Sequence, residues 1–309
     1  MRTIQLLAVI LLVGFTTSCT REVLVQDTYI EASALNTRQV LESYDLWYVD
    51  ITATQGNGSV PFLDRAFTVT FDRGVLMANN NLVGIGKTGG GLGIDVGNYA
   101  TLRGIVEIAH DVDGSWLLEV FAVNGNTIEL YSAATDTSYF LKGYQRAAFD
   151  YDGLFLDNIH YFLQEYDAWE KVYTSQEGAF TEFDEENYLQ FLSGEQGDFF
   201  RSSVDGPGLG PGEIIWDYEG DYGVFNIPGD PGLKTLTLDY DYMGEDYFEL
   251  YVINDQTIEL YHPESGTVYE FRGRGFVQYL KSASPDPGKK RSREKLPEMN
   301  VERKRPVKE

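Results

Sequence analysis

Several stretches of this chain carry residue types that do chemistry. Asn81-Leu82-Val83-Gly84-Ile85-Gly86-Lys87-Thr88 nearly spells a phosphate-cradling loop. That loop needs a Gly where Asn81 stands, and a helix after the Thr whose N–H groups face the phosphates. Gly89-Gly90-Gly91-Leu92-Gly93 follows instead, and glycine runs do not sustain a helix. The stretch reads as a glycine-rich loop at a barrel mouth. Asp239-Tyr240-Asp241-Tyr242-Met243-Gly244 opens like a calcium loop, with Asp-x-Asp and Gly in sixth place. Met243 in the fifth place and Leu250 in the twelfth leave too few oxygen ligands. His110-Asp111-Val112-Asp113-Gly114 is incomplete in the same way, and both read as tight turns. His110, His160 and His262 have no ligand spacing, which argues against zinc. There is no Gly-x-Ser-x-Gly elbow. Carboxylates abound, but paired-carboxylate catalysis needs a defined separation, and no pair stands out. The expectation is therefore no catalytic residue, no metal and no cofactor.

The elements that must position any site come from a duplication. Asp111–Gly143 and Asp241–Gly273 align without a gap at a constant offset of 130. They share twelve of thirty-three positions, including the block Thr-Ile-Glu-Leu-Tyr. A match of this kind means that one structural unit was copied. Each copy has two apolar runs, Leu117–Val123 with Thr127–Tyr131 and Tyr247–Ile253 with Thr257–Tyr261. Runs rich in Ile, Val, Phe and Tyr are strands, and the Asn, Gly and Asp between them make a hairpin. A three-residue loop sets Ala122 opposite Ile128 and Val120 opposite Leu130, which keeps one face apolar. The other face then carries Glu119, Phe121, Glu129 and Tyr131, and in the second copy Glu249, Tyr251, Glu259 and Tyr261. It is either a solvated wall of cross-strand neighbours or the lining of a ligand cavity.

A second pattern, Leu-x-x-Tyr-Asp-x-Trp, occurs at Leu41–Trp47 and Leu163–Trp169, at an offset of 122. Each copy begins in a short helix, Thr37–Ser43 in the first unit and Asn158–Glu165 in the second, and leads into a strand. The difference in offsets places a net insertion of eight residues in the second unit, with Gly194–Ile214 as its expected site. Trp47 and Trp169 are expected to plug one end of each unit, or to stack on a ligand. Short apolar runs alternate with turn residues through both units, which argues for an antiparallel barrel or sandwich. The fold class is thus all-β, with two tandem units at 37–146 and 147–281.

The N-terminus gives an address. Met1-Arg2 precedes an apolar run, Ile4–Phe15, and then Thr16-Thr17-Ser18-Cys19. A run of twelve residues is too short for a bilayer that needs about 20. Residues 1–18 read as a secretory signal. Cys19 is the only cysteine, so the mature chain has no internal disulfide. Residues 19–36 read as a tether. The formal net charge is −24, and Ser282–Glu309 has nine basic and five acidic residues, so residues 1–281 carry −28. So acidic a body repels phosphate backbones and argues against nucleic acid. The tail 282–309 has no apolar face to bury and is expected to be disordered, with its cations free to seek an anionic surface.

The segment ending at Cys19 resembles a bacterial lipoprotein signal. The resemblance implies acyl chains such as palmitate on Cys19, membrane attachment, and the outer rather than the inner membrane, since Thr20 and not Asp follows. Two or three such chains anchor stably. A helix, a Trp-bearing first strand and a meander of hairpins resemble the lipocalin-like barrels of bacterial lipoproteins, over roughly 37–146 and 157–281. This implies a lipid-anchored, noncatalytic envelope protein that holds a small amphiphile or a partner protein. The alternatives are a structural or assembly lipoprotein and a carboxylate-dependent envelope enzyme. A nicotinic acid mononucleotide adenylyltransferase is excluded, because its His-x-Gly-His motif and α/β nucleotide fold are both missing.

Overall fold

The computed structural model describes residues 37–194, 197–242, 244–277 and 296–301. The signal 1–18, Cys19, the tether and most of the tail lie outside the described residues. The chain forms two tandem closed barrels, each of eight antiparallel strands. The first is built from β1 (Leu46–Gly56), β2 (Thr68–Asp72), β3 (Val75–Asn79), β4 (Ile94–Leu102), β5 (Ile105–His110), β6 (Gly114–Asn124), β7 (Thr127–Ser132) and β8 (Thr137–Tyr144). The second has β9 (Tyr166–Thr174), β10 (Tyr188–Ser193), β11 (Asp198–Ser203), β12 (Tyr218–Ile227), β13 (Asp230–Tyr240), β14 (Gly244–Asn254), β15 (Thr257–His262) and β16 (Thr267–Phe276). In each, the strands pair in sequence order and the last closes on the first. Among the described residues no helix is long and apolar enough to cross a membrane.

The repeated hairpins have the expected register. Ala122 faces Ile128 and Val120 faces Leu130. In the second copy Val252 faces Ile258 and Leu250 faces Leu260. Asn124 and Asn254 close the turns by accepting the N–H of the residue two places on, at 3.0 and 2.9 Å. The alternating apolar face points inward. Leu118, Val120, Ile128, Leu130, Tyr139 and Leu141 are buried in the first barrel. Phe248, Leu250, Ile258, Leu260, Tyr269 and Phe271 take the same places in the second.

The Leu-x-x-Tyr-Asp-x-Trp pattern builds the helix-side corner of each barrel. The first unit begins with α1 (Thr37–Leu41). Trp47 and Trp169 are buried plugs, and each indole N–H donates to the carbonyl of the helix-ending leucine, Leu41 or Leu163, at 2.8 Å. The Tyr44 hydroxyl donates to Gly125 O at 2.9 Å and the Tyr166 hydroxyl to Asp255 O at 2.6 Å. Each ring lies on a glycine of the last strand. A Cβ at Gly143 would meet the Tyr44 ring at 2.3 Å, and one at Gly273 the Tyr166 ring at 2.5 Å. The shared glycine that ends the repeated stretch is therefore a close-approach residue.

Three expectations need correction. The second unit starts with two short helices, not one. The helix α3 (Tyr151–Asp157) follows α2 (Pro61–Arg65) in chain order, and α4 (Ile159–Leu163) is the expected one. Asp150 caps α3 by accepting the Gly153 N–H at 2.9 Å. The main insertion lies in the β12–β13 hairpin rather than in Gly194–Ile214. Tyr99 pairs with Ile108, nine positions on, whereas its counterpart Tyr222 pairs with Leu238, sixteen on. The β10–β11 hairpin, inside the expected region, holds a smaller gain. Finally, the tail is not disordered throughout. Residues 296–301 lie parallel to the lengthened β12, with Asn226 N–H donating to Pro297 O at 2.7 Å and Met299 N–H to Asn226 O at 2.9 Å. Leu296 is buried in the core of the second barrel. The extra length of β12 creates an unpaired edge, and the apolar Leu296 supplies the burial that the polar tail lacks.

The barrels meet through the glycine-rich loop. Phe67 and Leu82 of the first unit pack into the apolar cluster of the second. The stretch that resembles a phosphate cradle does hold an anion, but the anion is Glu165 of the same chain. Its two carboxylate oxygens accept the Leu82 N–H at 2.7 Å and the Val83 N–H at 2.8 Å. Lys87 reaches Asp255 at 3.1 Å on the surface.

Candidate functional site

The glutamate–aromatic face lies on the outer wall of both barrels. Glu119 pairs across strands with Tyr131 and Phe121 with Glu129, and all four are exposed or half-buried. The counterparts pair alike, Glu249 with Tyr261 and Tyr251 with Glu259. Glu249 is buried, accepts the Tyr251 hydroxyl at 2.9 Å, and sits beside Thr235, whose hydroxyl meets Met299 Sδ at 3.8 Å. The interior face is the opposite, apolar one. Trp47 and Trp169 occupy the core, as plugs.

The candidate site is the barrel end opposite Trp169. There the two units share a frame. In the first, α2 folds across the end, and the Tyr139 hydroxyl donates to Asp64 Oδ1 at 2.5 Å. In the second, a single turn at Glu182–Glu185 does so, and the Tyr269 hydroxyl donates to Asp184 Oδ1 at 2.8 Å. Thr181 caps this turn, and the Asp184 carboxylate accepts the Thr181 N–H at 2.8 Å.

Within this frame the side chains diverge. Strand register aligns Ala66 with Glu186 and Ala78 with Ser202, because Val69 and Leu189 hold matching places beside Trp47 and Trp169. It also aligns His110 with Tyr240, Trp116 with Asp246 and Ser132 with His262. In the first barrel rings occupy that end. Phe62 stacks on His110 with ring centroids 5.2 Å apart, and Trp116 packs against the core. In the second the same end holds a cavity of about 420 Å³. Glu182, Glu186, Glu245, Asp246 and Glu264 line it with Phe180, Thr181, Tyr240, His262 and Ser265. A second hollow of about 240 Å³ adjoins it through Tyr240, walled by Trp216, Asp217, Tyr218, Glu219 and Tyr242.

Glu186 is the deepest acid of the cleft, 2% exposed. The Tyr240 hydroxyl donates to its carboxylate, 2.9 and 3.0 Å from the two oxygens. Burial pushes the Glu186 carboxyl up to about 7, and the charge of Asp246 adds to the shift. Burial, then Glu186, drives the Tyr240 phenol far above its ordinary range. Asp246 is also raised by burial and by Glu264 and Glu182, against the pull of His262. His262 Nε2 stands 3.8 Å from Asp246 Oδ1, while its Nδ1 meets Ser265 Oγ at 2.8 Å. Lys171 is committed elsewhere, donating to Asp184 O at 2.6 Å, and burial lowers its pKa. The arrangement can accept a cation or a hydrogen-bond donor, and Glu186 can exchange a proton near neutrality.

Sequence reasoning passed over Glu186, Tyr240, Asp246 and His262 as site residues. The signal for them was the mismatches between the copies, not the matches. Among the described residues, no group of three or more His, Cys, Asp and Glu is arranged to hold a metal ion. No protein-family model matches the chain, and no curated protein matches it.

Proposed function

We propose that this chain is a lipid-anchored, noncatalytic binding protein of the cell envelope, held on the outer membrane through Cys19. Its ligand sits in the end of the second barrel, not in a hollow along the barrel axis. One observation carries the reading. The two barrels share a frame, yet only the second replaces Ala66, His110 and Trp116 by Glu186, Tyr240 and Asp246 around a cavity of about 420 Å³. A buried carboxyl and a half-buried one, both with raised pKa values, cost stability, and such groups persist where a site uses them. The first barrel then serves as a spacer between the anchor and the site. Mass spectrometry of material co-purified with the protein tests the reading. A consistent bound compound, lost in Glu186→Leu, is expected; repeatedly empty preparations would overturn it. For the anchor, Cys19→Ala should move the protein from the membrane fraction to the soluble one.

A second reading is an assembly lipoprotein. Leu102 (74% exposed) and Leu117 (65%) stand on the outer wall of the first barrel, where a partner could cover them. Cross-linking in intact cells separates the two, since an assembly role requires a constant protein partner at those positions.

A further inference from the structure

Accepting the binding-protein reading, we propose that the cleft of the second barrel selects a small organic cation, one whose ammonium or guanidinium group enters between Glu186 and Asp246 while its carbon skeleton lies on the ring of Tyr240. Three independent features lead there. The cavity has room for a ligand of this size, about 420 Å³, with a further 240 Å³ across Tyr240. Its lining is predominantly acidic: five carboxylates and the single histidine His262 face the larger hollow, and no Lys or Arg lines either one. Of the nearby basic groups, His262 stands 3.8 Å from Asp246 and Lys171 donates to Asp184 O, so neither forms a close ion pair with Glu186, and a cation entering between Glu186 and Asp246 would meet net negative charge.

The second feature is aromatic. Trp216, Tyr218, Tyr240 and Tyr242 wall the smaller hollow, and Phe180 stands at the rim of the larger, 75% exposed. Tyr242 is 96% exposed. Rings left in water at a concave surface gain from contact with apolar or cationic groups. Rings beside carboxylates are the chemistry that recognises organic cations rather than metal ions, which prefer a compact set of oxygen ligands.

The third feature is the internal control. The first barrel closes the same end with Ala66, Trp116 and the Phe62–His110 stack, and it folds to the same register. The acids of the second barrel are therefore not needed to build the end of a barrel.

The test is calorimetric titration of the full-length chain at pH 8 with three isosteric probes: phenethylamine, phenylethanol and phenylacetate. Phenethylamine should bind, and the neutral and anionic probes should not. Glu186→Gln and, separately, Asp246→Asn should each weaken phenethylamine by about tenfold or more, the loss expected when one partner of a desolvated charge pair is removed. Two positions keep the test open should one variant misfold. Equal or tighter binding of phenylethanol or phenylacetate, no binding of phenethylamine, or unchanged affinity in both variants would each overturn the cation assignment. A co-purified compound that is neutral or acidic would sink this inference and leave the binding-protein reading standing. Empty preparations together with no probe binding would remove both.

Discussion

The Glu165 carboxylate of the second barrel accepts the Leu82 N–H of the first, 2.7 Å away, with Glu165 itself fully buried. A second bond from Val83 N–H at 2.8 Å completes the clasp. Two bonds from N–H groups to one buried carboxylate make this a strong polar tie between the units. Glu165→Ala would leave the buried Leu82 N–H and the half-buried Val83 N–H without that acceptor. The expected loss is on the order of 2–4 kcal/mol. Urea unfolding followed by tryptophan fluorescence should show a lower midpoint, and protease should cut the Asn80–Gly93 loop sooner. An unchanged midpoint would mean that the barrels do not depend on this contact.

The Tyr44–Gly143 and Tyr166–Gly273 contacts make a prediction for each unit. A methyl at Gly143 would enter the Tyr44 ring, since its Cβ would stand 2.3 Å away. Gly143→Ala should destabilise the first barrel by about 1–3 kcal/mol, as overpacking does. Tyr44→Ala in the same chain should relieve most of that clash, so the double variant should be less harmed than the sum of the two. Gly273→Ala with Tyr166→Ala should behave alike. Additive losses in thermal melts would deny the contact.

Much of this was legible in the chain itself. Thr-Ile-Glu-Leu-Tyr and its flanks carry a strict alternation, and one face had to be buried, so the register of Val120 on Leu130 followed from pattern alone. The Trp plugs were legible because an indole so close to a helix end has a carbonyl within reach. The cleft was not legible, because a repeat search rewards identity, and Glu186, Asp246 and His262 are places where the copies differ. The role of Leu82-Val83 was also hidden. Local sequence shows that N–H groups can converge there, but not that Glu165, far along the chain, brings the anion. Leu296 escaped notice because one leucine among charges has no periodicity, and its burial depends on an edge created by an insertion in β12–β13.

The C-terminal segment makes a third prediction. Residues 296–301 bond to Asn226 and bury Leu296 beside the lengthened hairpin. Leu296→Asp in the full chain should lower stability by about 1–3 kcal/mol, the transfer cost of one leucine. Amide exchange at Asn226 should speed up while exchange in β5 and β6 of the first barrel stays unchanged. Equal protection at Asn226 in both proteins would show that the segment does not guard that edge.

The last prediction concerns Glu186 and pH. Its carboxyl lies between the Tyr240 hydroxyl, the buried Ser202, Asp246 and Lys171, and burial raises it from 4.5 to about 7. A folded-state pKa above the unfolded one means that the folded chain holds the proton more tightly. That contribution is fully present below the unfolded pKa and is lost as pH rises through about 7. The wild-type protein should therefore lose stability between pH 5 and pH 8, by up to roughly 3 kcal/mol from this group alone. Asp246, also raised by burial, acts in the same direction. Glu186→Gln keeps an acceptor for Tyr240 and removes the titrating proton. Its melting temperature should match that of wild type near pH 5 and exceed it at pH 8. Cation binding has the opposite slope, since only the ionised carboxylate attracts the ligand, so phenethylamine should bind more tightly at pH 8 than at pH 6. Parallel pH profiles for the variant and the wild type would show that Glu186 titrates outside this range.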